Sequence, residues 1–577
     1  MPDYYTATGE GIARFLTQFR GIRELAPRDL AGYQNDFRAG WEIPDLCTDG
    51  AIKLRILLPA LAPTAPVRLA VFPAPPVLTW PHLEEQGLLC LPTSLETASV
   101  QGTLDAIPQL LDHARILVNL SVTGQNVQDF EDEFASYWAQ WDRTKATLNL
   151  ICEPSGASRE IAAWHSTQGF FAAEDETTLR AWLVNRFGES IAKNVSCAPA
   201  PLIWLTRALR PSEYPSTVGA LRKSLNENPA QTKLLDAALL RITKEPKLVV
   251  LGLPTRSGVA FAGLVIQRPE GIANGFPKRA PDNLTLCRYN AGRITGAAVI
   301  RLDHAWVHGR DHSQEAEVLR KKKVAIIGVG SVGSSAADLL AKAGVGTILL
   351  FDPETIESAN SSRHLLGADA IGIDKAKAVK QDISRRLPHL NISFSGAFAA
   401  TPEAIGAIQS VDLTICMTGS WPIEHMLDDM WTENQVLPPV MYAWTEPHAA
   451  AGHAVTFKTR ARCLHCLLED GGCARIPVTA WSQRTTLDIA ACGGSFQPYG
   501  ATQLAHTHAL VADLAIDLLL NRTTDFVHRA WIGTRENVQR AGGTWDARWI
   551  AAFGDPGQGG KLVEVKVPSC DRCKAIE

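Results

Sequence analysis

The chain has 577 residues, 46% of them apolar and 20% charged, with a formal net charge of −4 at pH 7. That length exceeds a single hydrophobic core, and the composition is that of an ordinary globular protein. The slight acidity and the lack of a long basic run argue against nucleic-acid binding, and no apolar run reaches the roughly 18 residues that a membrane span needs.

The first residues, MPDYYTATGEGIARF, carry no charged leader ahead of an apolar core. The twelve cysteines are not spaced like a small secreted framework, so metal binding or catalysis in a cytoplasmic protein is the expectation. Residues 1–150 read as an α+β module: a helix over 11–25, extended runs at 41–46, 52–58 and 67–72, a proline-rich stretch around Cys90, and helices near 103–113 and 126–141. Residues 151–305 mix helical patterns (175–187, 215–242) with strands (247–252, 258–266) and show no motif, so an α/β linker domain is expected there. In 306–577, apolar runs at 323–327, 347–351, 391–397, 411–416 and 439–443 alternate with helical patterns, one starting after Asp374 as N-cap. That alternation predicts a doubly wound, mostly parallel α/β sheet.

The stretch from Lys323 to Lys375 is the most informative. A β-branched run leads into Gly328, Gly330 and Gly333, then an Ala- and Leu-rich helix, then a second strand ending at Asp352. This is a nucleotide-binding βαβ pattern: Gly328 for the tight turn, Gly330 for close approach to phosphate, and a helix N-terminus aimed at the anion. Asp352 would hold a ribose, and that serves NAD as well as ATP. Asn360, Arg363 and Lys375 follow where a triphosphate would extend, and cations there would neutralise a departing pyrophosphate.

Cys463-x-x-Cys466 and Cys570-x-x-Cys573 are two thiolate pairs about a hundred residues apart. Each supplies two ligands from one turn, and together they complete a tetrahedral site for structural Zn²⁺. His465, inside the first pair, reads as a turn residue. Cys47, Cys152, Cys197, Cys287 and Cys416 lie on or beside apolar runs and are expected in cores.

Taken together, the glycine turn, Asp352, Asn360, Arg363, the Gly372-Ile-Asp-Lys375 element and the cysteine pairs resemble the ThiF and ubiquitin-activating superfamily over about residues 300–577. The resemblance implies ATP- and Mg²⁺-dependent adenylation of a partner protein's free C-terminus, followed by capture on a cysteine between the zinc pairs. Cys492, in AACGGSFQPYG ahead of a helical run near 501–520, fits that position better than Cys473. Family members carry a magnesium aspartate after the fourth strand. Here the strand ends Cys416-Met-Thr418-Gly419, and Glu424 is a candidate substitute. An arginine supplied across a homodimer, Arg310 here, is also implied by the resemblance.

The segment from Trp80 through His82 and Gly87 to Cys90, Leu91 and Pro92 resembles the active-site strip of ubiquitin-conjugating enzymes, without that family's oxyanion asparagine. The whole arrangement is similar to bacterial fusions of conjugating and activating enzymes in CBASS antiphage operons. It implies transthiolation from Cys492 to Cys90, conjugation to a target lysine, and a cGAS/DncV-like nucleotidyltransferase as the activated partner. Three other readings are open: a sulfur-carrier-activating adenylyltransferase of cofactor biosynthesis, a dehydrogenase and a non-catalytic scaffold.

Overall fold

The structure is a computed structural model, which describes residues 4–33, 37–44, 51–92, 99–141, 146–192, 195–241, 246–267, 281–396, 402–433, 437–488 and 495–574. The chain divides into two compact units. One comprises residues 1–148, 154–171 and 198–300; the other comprises residues 149–153, 172–197 and 301–577.

In the first unit, a four-stranded antiparallel meander runs from Arg23–Glu24 through Phe37–Ile43 and Lys53–Pro59 to Arg68–Phe72. The helix Tyr4–Leu16 and the long helix Val100–Val122 supply Ile12, Leu16, Ile107, Leu111, Ala114 and Val118 to a core with Leu54, Ile56 and Val71. The first helix ends nine residues before the predicted limit, because Thr17–Gly21 turn into a short strand that pairs with Phe37–Ile43. The second is longer than predicted: Ser99 caps it by accepting from Gly102 N–H at 3.0 Å, and Pro108 sits on its exposed face. Its buried positions 103, 107, 111, 114 and 118 form one apolar stripe.

Between residues 147 and 301 seven strands close into a barrel. The expected strands at 247–252 and 258–266 form its most extensive antiparallel pair, Lys247–Thr255 with Gly258–Ile266. The predicted helix 215–242 is two, Val218–Ser224 and Pro229–Leu240, because Asn228 and Pro229 begin a new helix there.

The second unit is built on an eight-stranded sheet: β1 Lys323–Ile327, β2 Thr347–Phe351, β3 Asn391–Ser395, β4 Leu413–Cys416, β5 Val440–Thr445, β6 Ala451–Phe457, β7 Phe526–Thr534 and β8 Gly559–Glu564. Their order is β3-β2-β1-β4-β5-β6-β7-β8. The first five are parallel, and β6 to β8 extend the sheet antiparallel. β3 is one of the two edge strands and is largely exposed, unlike the buried strand its sequence suggested. The helices Ser331–Ala343, Lys375–Arg386 and Ala501–Leu519 cover one face, and Trp421–Glu433 packs on the other. The order reverses at β1, which places the carboxyl ends of β1, β2 and β4 around a crevice.

Candidate nucleotide and thiol sites

The turn after β1 is shaped by its glycines. Gly328 has φ +86°, and a Cβ there would stand 2.7 Å from Met417 O. A Cβ on Gly333 would lie 1.9 Å from Gly328 O, so helix and turn touch only because that side chain is absent. At Gly330 a Cβ would meet nothing within 4 Å, because the residue faces a cavity. The helix Ser331–Ala343 begins at Gly330 without a side-chain cap, which leaves its first N–H groups available to an anion.

Two cavities, of about 490 and 330 Å³, share Gly330, Glu354, Lys375, Met417 and Thr418. The first is bounded by Gly328, Phe351 and Asp352. The second is bounded by Ser331, Asn360, Arg363, Trp444 and Tyr499. The structure therefore gathers Gly328, Gly330, Asp352, Asn360, Arg363 and Lys375 around one hollow, with Gly333 packed behind it. Asp352 is buried and accepts from Val329 N–H at 2.7 Å and Glu354 N–H at 2.8 Å, so the carboxylate also braces the glycine turn. Lys375, the first residue of its helix, is buried and ion-paired with Glu354. Asp374 occupies the N-cap position, but its side chain makes no capping bond. Arg363 lies over the Tyr499 ring at 5.0 Å and donates to Gln497 O.

Sequence reasoning missed Glu354 and His364. Glu354 faces both cavities as a carboxylate; its only signal is its place two residues after Asp352. His364 Nδ1 accepts from Leu366 N–H at 3.1 Å, so Nε2–H donates to Val329 O at 3.0 Å. Burial lowers its pKa, and the neutral ring holds the turn. Glu424 turns inward: its Oε1 accepts from Thr418 Oγ1 and Gly419 N–H. Arg310 lines neither cavity. It has φ +49°, lies against Trp306, and donates to Trp306 O and Val307 O.

A third cavity, of about 720 Å³, shares Arg363 and Tyr499 and continues past His448, Phe496 and Arg540. One wall is a hairpin in which Leu487 pairs with Phe496. Cys492 belongs to the segment joining those strands and lies outside the described residues. Cys473 is exposed.

The sulfurs of Cys463, Cys466, Cys570 and Cys573 lie within 4.8 Å of one another. The separations Cys463–Cys570, Cys466–Cys573 and Cys570–Cys573 are 3.6, 3.8 and 3.7 Å. Zn–S bonds of ~2.3 Å give a tetrahedron whose edge is about 3.8 Å, so the donor set fits zinc. Cys570 N–H donates to Cys466 Sγ at 3.3 Å, a bond that would help to hold a metal-bound thiolate. His465 sits in the 3₁₀ turn Leu464–Cys466.

In the first unit, Cys90 is exposed. Its N–H donates to His82 O at 2.9 Å. His82 Nε2 is 3.1 Å from Asp129, its Nδ1 is 3.4 Å from Glu133, and Tyr137 OH donates to Glu133 at 3.0 Å. Partial burial, then Glu84 and Glu133, push the Cys90 thiol up. Of the cysteines expected in cores, Cys152 and Cys416 are buried. Cys287 is exposed and Cys197 half-buried: Cys287 lies on the polar side of the helix Asp282–Asn290, and Cys197 directly precedes a strand. Cys47 is outside the described residues.

Residues 308–532 match the ThiF family, and residues 32–147 match Prokaryotic E2 family B. The chain is therefore a fusion of an E2-like domain with a ThiF-type adenylating domain, and an enzyme of ATP-dependent, ubiquitin-transferase-like conjugation. It is similar to the ATP-dependent ubiquitin transferase-like protein Cap2 of Pseudomonas aeruginosa, with 23% identity over 78% of this chain and 82% of that protein. Cap2 of Vibrio cholerae is also 23% identical, over 76% and 80%. Ubiquitin-like modifier-activating enzyme 5 of Culex quinquefasciatus is 32% identical over 20% of this chain and 29% of its own. The crystal structure of E. coli MccB with ATP overlaps loosely, with a TM-score of 0.30 and 16% identity over 45% of this chain and 68% of that one. Among the described residues no helix is long and apolar enough to cross a membrane.

Proposed function

We propose that the ThiF-type domain adenylates the C-terminal carboxylate of a partner protein, and that Cys492 and then Cys90 carry the acyl group to a target lysine. The two cavities that share Gly330 and Lys375 and reach from the glycine turn to Arg363 carry this reading, because they offer donors and cations where a triphosphate would lie. The partner's carboxylate oxygen attacks the α-phosphorus and pyrophosphate leaves. The Cys492 thiolate, its proton lost to solvent, forms a C–S bond as the acyl–phosphate C–O bond breaks and AMP departs. The Cys90 thiolate displaces Cys492, and a neutral amine displaces Cys90 to form an amide.

Mg²⁺ would supply charge neutralisation at the phosphates. Of the carboxylates bounding the hollow, Asp352 is engaged by two backbone N–H groups and Glu354 by Lys375 through Oε2, so Glu354 Oε1 is the oxygen that would hold it. The four cysteines would hold Zn²⁺ in a closed, structural shell. From the resemblance of the sequence to CBASS fusions of conjugating and activating enzymes we further infer a cytoplasmic role, a cGAS/DncV-like nucleotidyltransferase as the partner, and a homodimer in which Arg310 serves the second copy.

The test is incubation with ATP, Mg²⁺ and a cGAS/DncV-like nucleotidyltransferase. A thiol-sensitive adduct is expected, absent in Cys492→Ala and retained on Cys492 in Cys90→Ala. No ATP-dependent adduct would overturn the reading. An adduct indifferent to Cys90 would favour a sulfur-carrier type of activation.

A further inference from the structure

Glu446 directly follows Trp444 and Thr445, which bound the phosphate side of the hollow. It is 5% exposed and lies outside the nucleotide cavities. Its carboxylate accepts four hydrogen bonds. Oε1 receives Val478 N–H at 2.6 Å and lies 3.1 Å from His453 Nε2, while Oε2 receives Thr479 N–H at 2.8 Å and Thr479 Oγ1 at 2.6 Å. His453 is backed in turn by His528, Nδ1 to Nε2 at 3.1 Å, and Trp444 stacks on the His453 ring at 4.9 Å. Every donor aimed at Glu446 is buried, in a place where an unsatisfied group is costly.

Val478 and Thr479 begin the stretch that runs through the strand Thr479–Trp481 to Leu487–Asp488, the first strand of the hairpin beside the 720 Å³ cavity. On the other side of Glu446, the turn Pro447–Ala449 presents His448, φ +59°, to that same cavity and against the Trp481 ring. One carboxylate therefore joins the phosphate wall, the wall of the larger cavity and the root of the hairpin.

We propose that Glu446 is a positioning residue for acyl transfer: it registers the hairpin stretch against the nucleotide hollow and so governs the adenylate-to-thiol step, not adenylation. This rests on the relay proposed above. A carboxylate is required because all four contacts are donors. Glutamine would direct an NH₂ group at one pair of them, and aspartate would fall short. Misplacing a reacting group by about 1 Å costs roughly a hundredfold in rate.

The test compares the full chain with Glu446→Gln and with the gentler Thr479→Val, which removes only a hydroxyl. With the nucleotidyltransferase, ATP–pyrophosphate exchange is expected to persist while single-turnover thioester formation falls roughly a hundredfold in Glu446→Gln and about tenfold in Thr479→Val. Equal loss of both steps, or loss of neither, would overturn the proposal. A second measurement needs no partner. The rate of Cys492 alkylation by iodoacetamide, read by peptide mass, is expected to shift about tenfold in Glu446→Gln at unchanged ATP affinity. An unchanged alkylation rate overturns the positioning role. Absence of exchange in the unmodified chain counts against the relay alone.

Discussion

Thr418 Oγ1 donates to Glu424 Oε1 at 3.1 Å, and the same oxygen accepts Gly419 N–H at 2.9 Å. Burial raises the Glu424 pKa. The carboxyl group is thus turned into the protein at the end of β4, where the resemblance calls for a magnesium aspartate. Thr418, by contrast, bounds both nucleotide cavities. Thr418→Asp is therefore expected to lower the Mg²⁺ concentration for half-maximal ATP–pyrophosphate exchange about tenfold, because added ligand charge tightens cation binding. Glu354→Gln should raise it, and Glu424→Gln should leave it nearly unchanged. A magnesium titration of the three variants decides among these carboxylates.

Asp352→Ala should act on stability and binding together. It removes the acceptor for Val329 and Glu354 N–H, costing roughly 1–3 kcal/mol of unfolding free energy. Because that bond holds the glycine turn, ATP affinity should fall as well. Denaturant unfolding and ATP titration of one preparation measure both.

Much of this site could be read along the chain because its parts are local. The glycine turn, Asp352, Arg363 and Lys375 fall within 50 residues, and their spacing already encodes a strand, turn and helix. The cysteine pairs declared themselves by repetition. Other features depend on distance. Glu446 meets Val478 and Thr479 across more than thirty residues, and Glu354 gains meaning only once β2 ends beside β1. The middle region hid its barrel because its short strands alternate with helices, the pattern of an α/β layer. The terminal helix of the first unit was misjudged because apolar residues continue past Leu16 into Phe19 and Ile22, where the backbone no longer does.

If the four thiols hold zinc, Cys570→Ser with Cys573→Ser should remove it and release the C-terminal segment from Cys463 and Cys466. One zinc per chain is expected by elemental analysis of the unmodified protein and none in the variant, with a melting temperature several degrees lower. ATP affinity should change little, since the cluster is closed and its cysteines bound neither nucleotide cavity.

His308 and His389 are expected to make the second unit sensitive to acid. Their Nε2 atoms are 2.8 Å apart, so one ring donates and the other accepts. Burial, then the neighbouring histidines, depresses His308 to about 4 and His389 to about 3, from 6.5. A depressed histidine contributes stability that is complete above its unfolded pKa and is lost as pH falls through the folded one. The melting temperature should hold above about pH 6.5 and decline towards pH 4. His389→Leu, which removes one of the two rings, should flatten that decline. Thermal melts at stepped pH test it, and an equal slope in both proteins would exclude the pair as its source.

Cys90 offers a comparison at a second thiol. Burial raises its pKa first, and the carboxylates of Glu84 and Glu133 add to the effect, because negative charge disfavours a thiolate. Arg68 opposes them while paired with Glu84 at 2.7 Å. Glu133 is held by Tyr137 and lies beside His82, so it is a fixed charge near the sulfur. Glu133→Gln should therefore move the pH profile of Cys90 alkylation to lower pH and make iodoacetamide react several-fold faster near pH 8. Arg68→Ala should move the profile the other way. Tyr137→Phe leaves the carboxylate in place without its hydrogen-bond donor, so a smaller change is expected. If Glu133→Gln and Arg68→Ala shift the profile in the same direction, electrostatics does not set the reactivity of this thiol, and burial alone does.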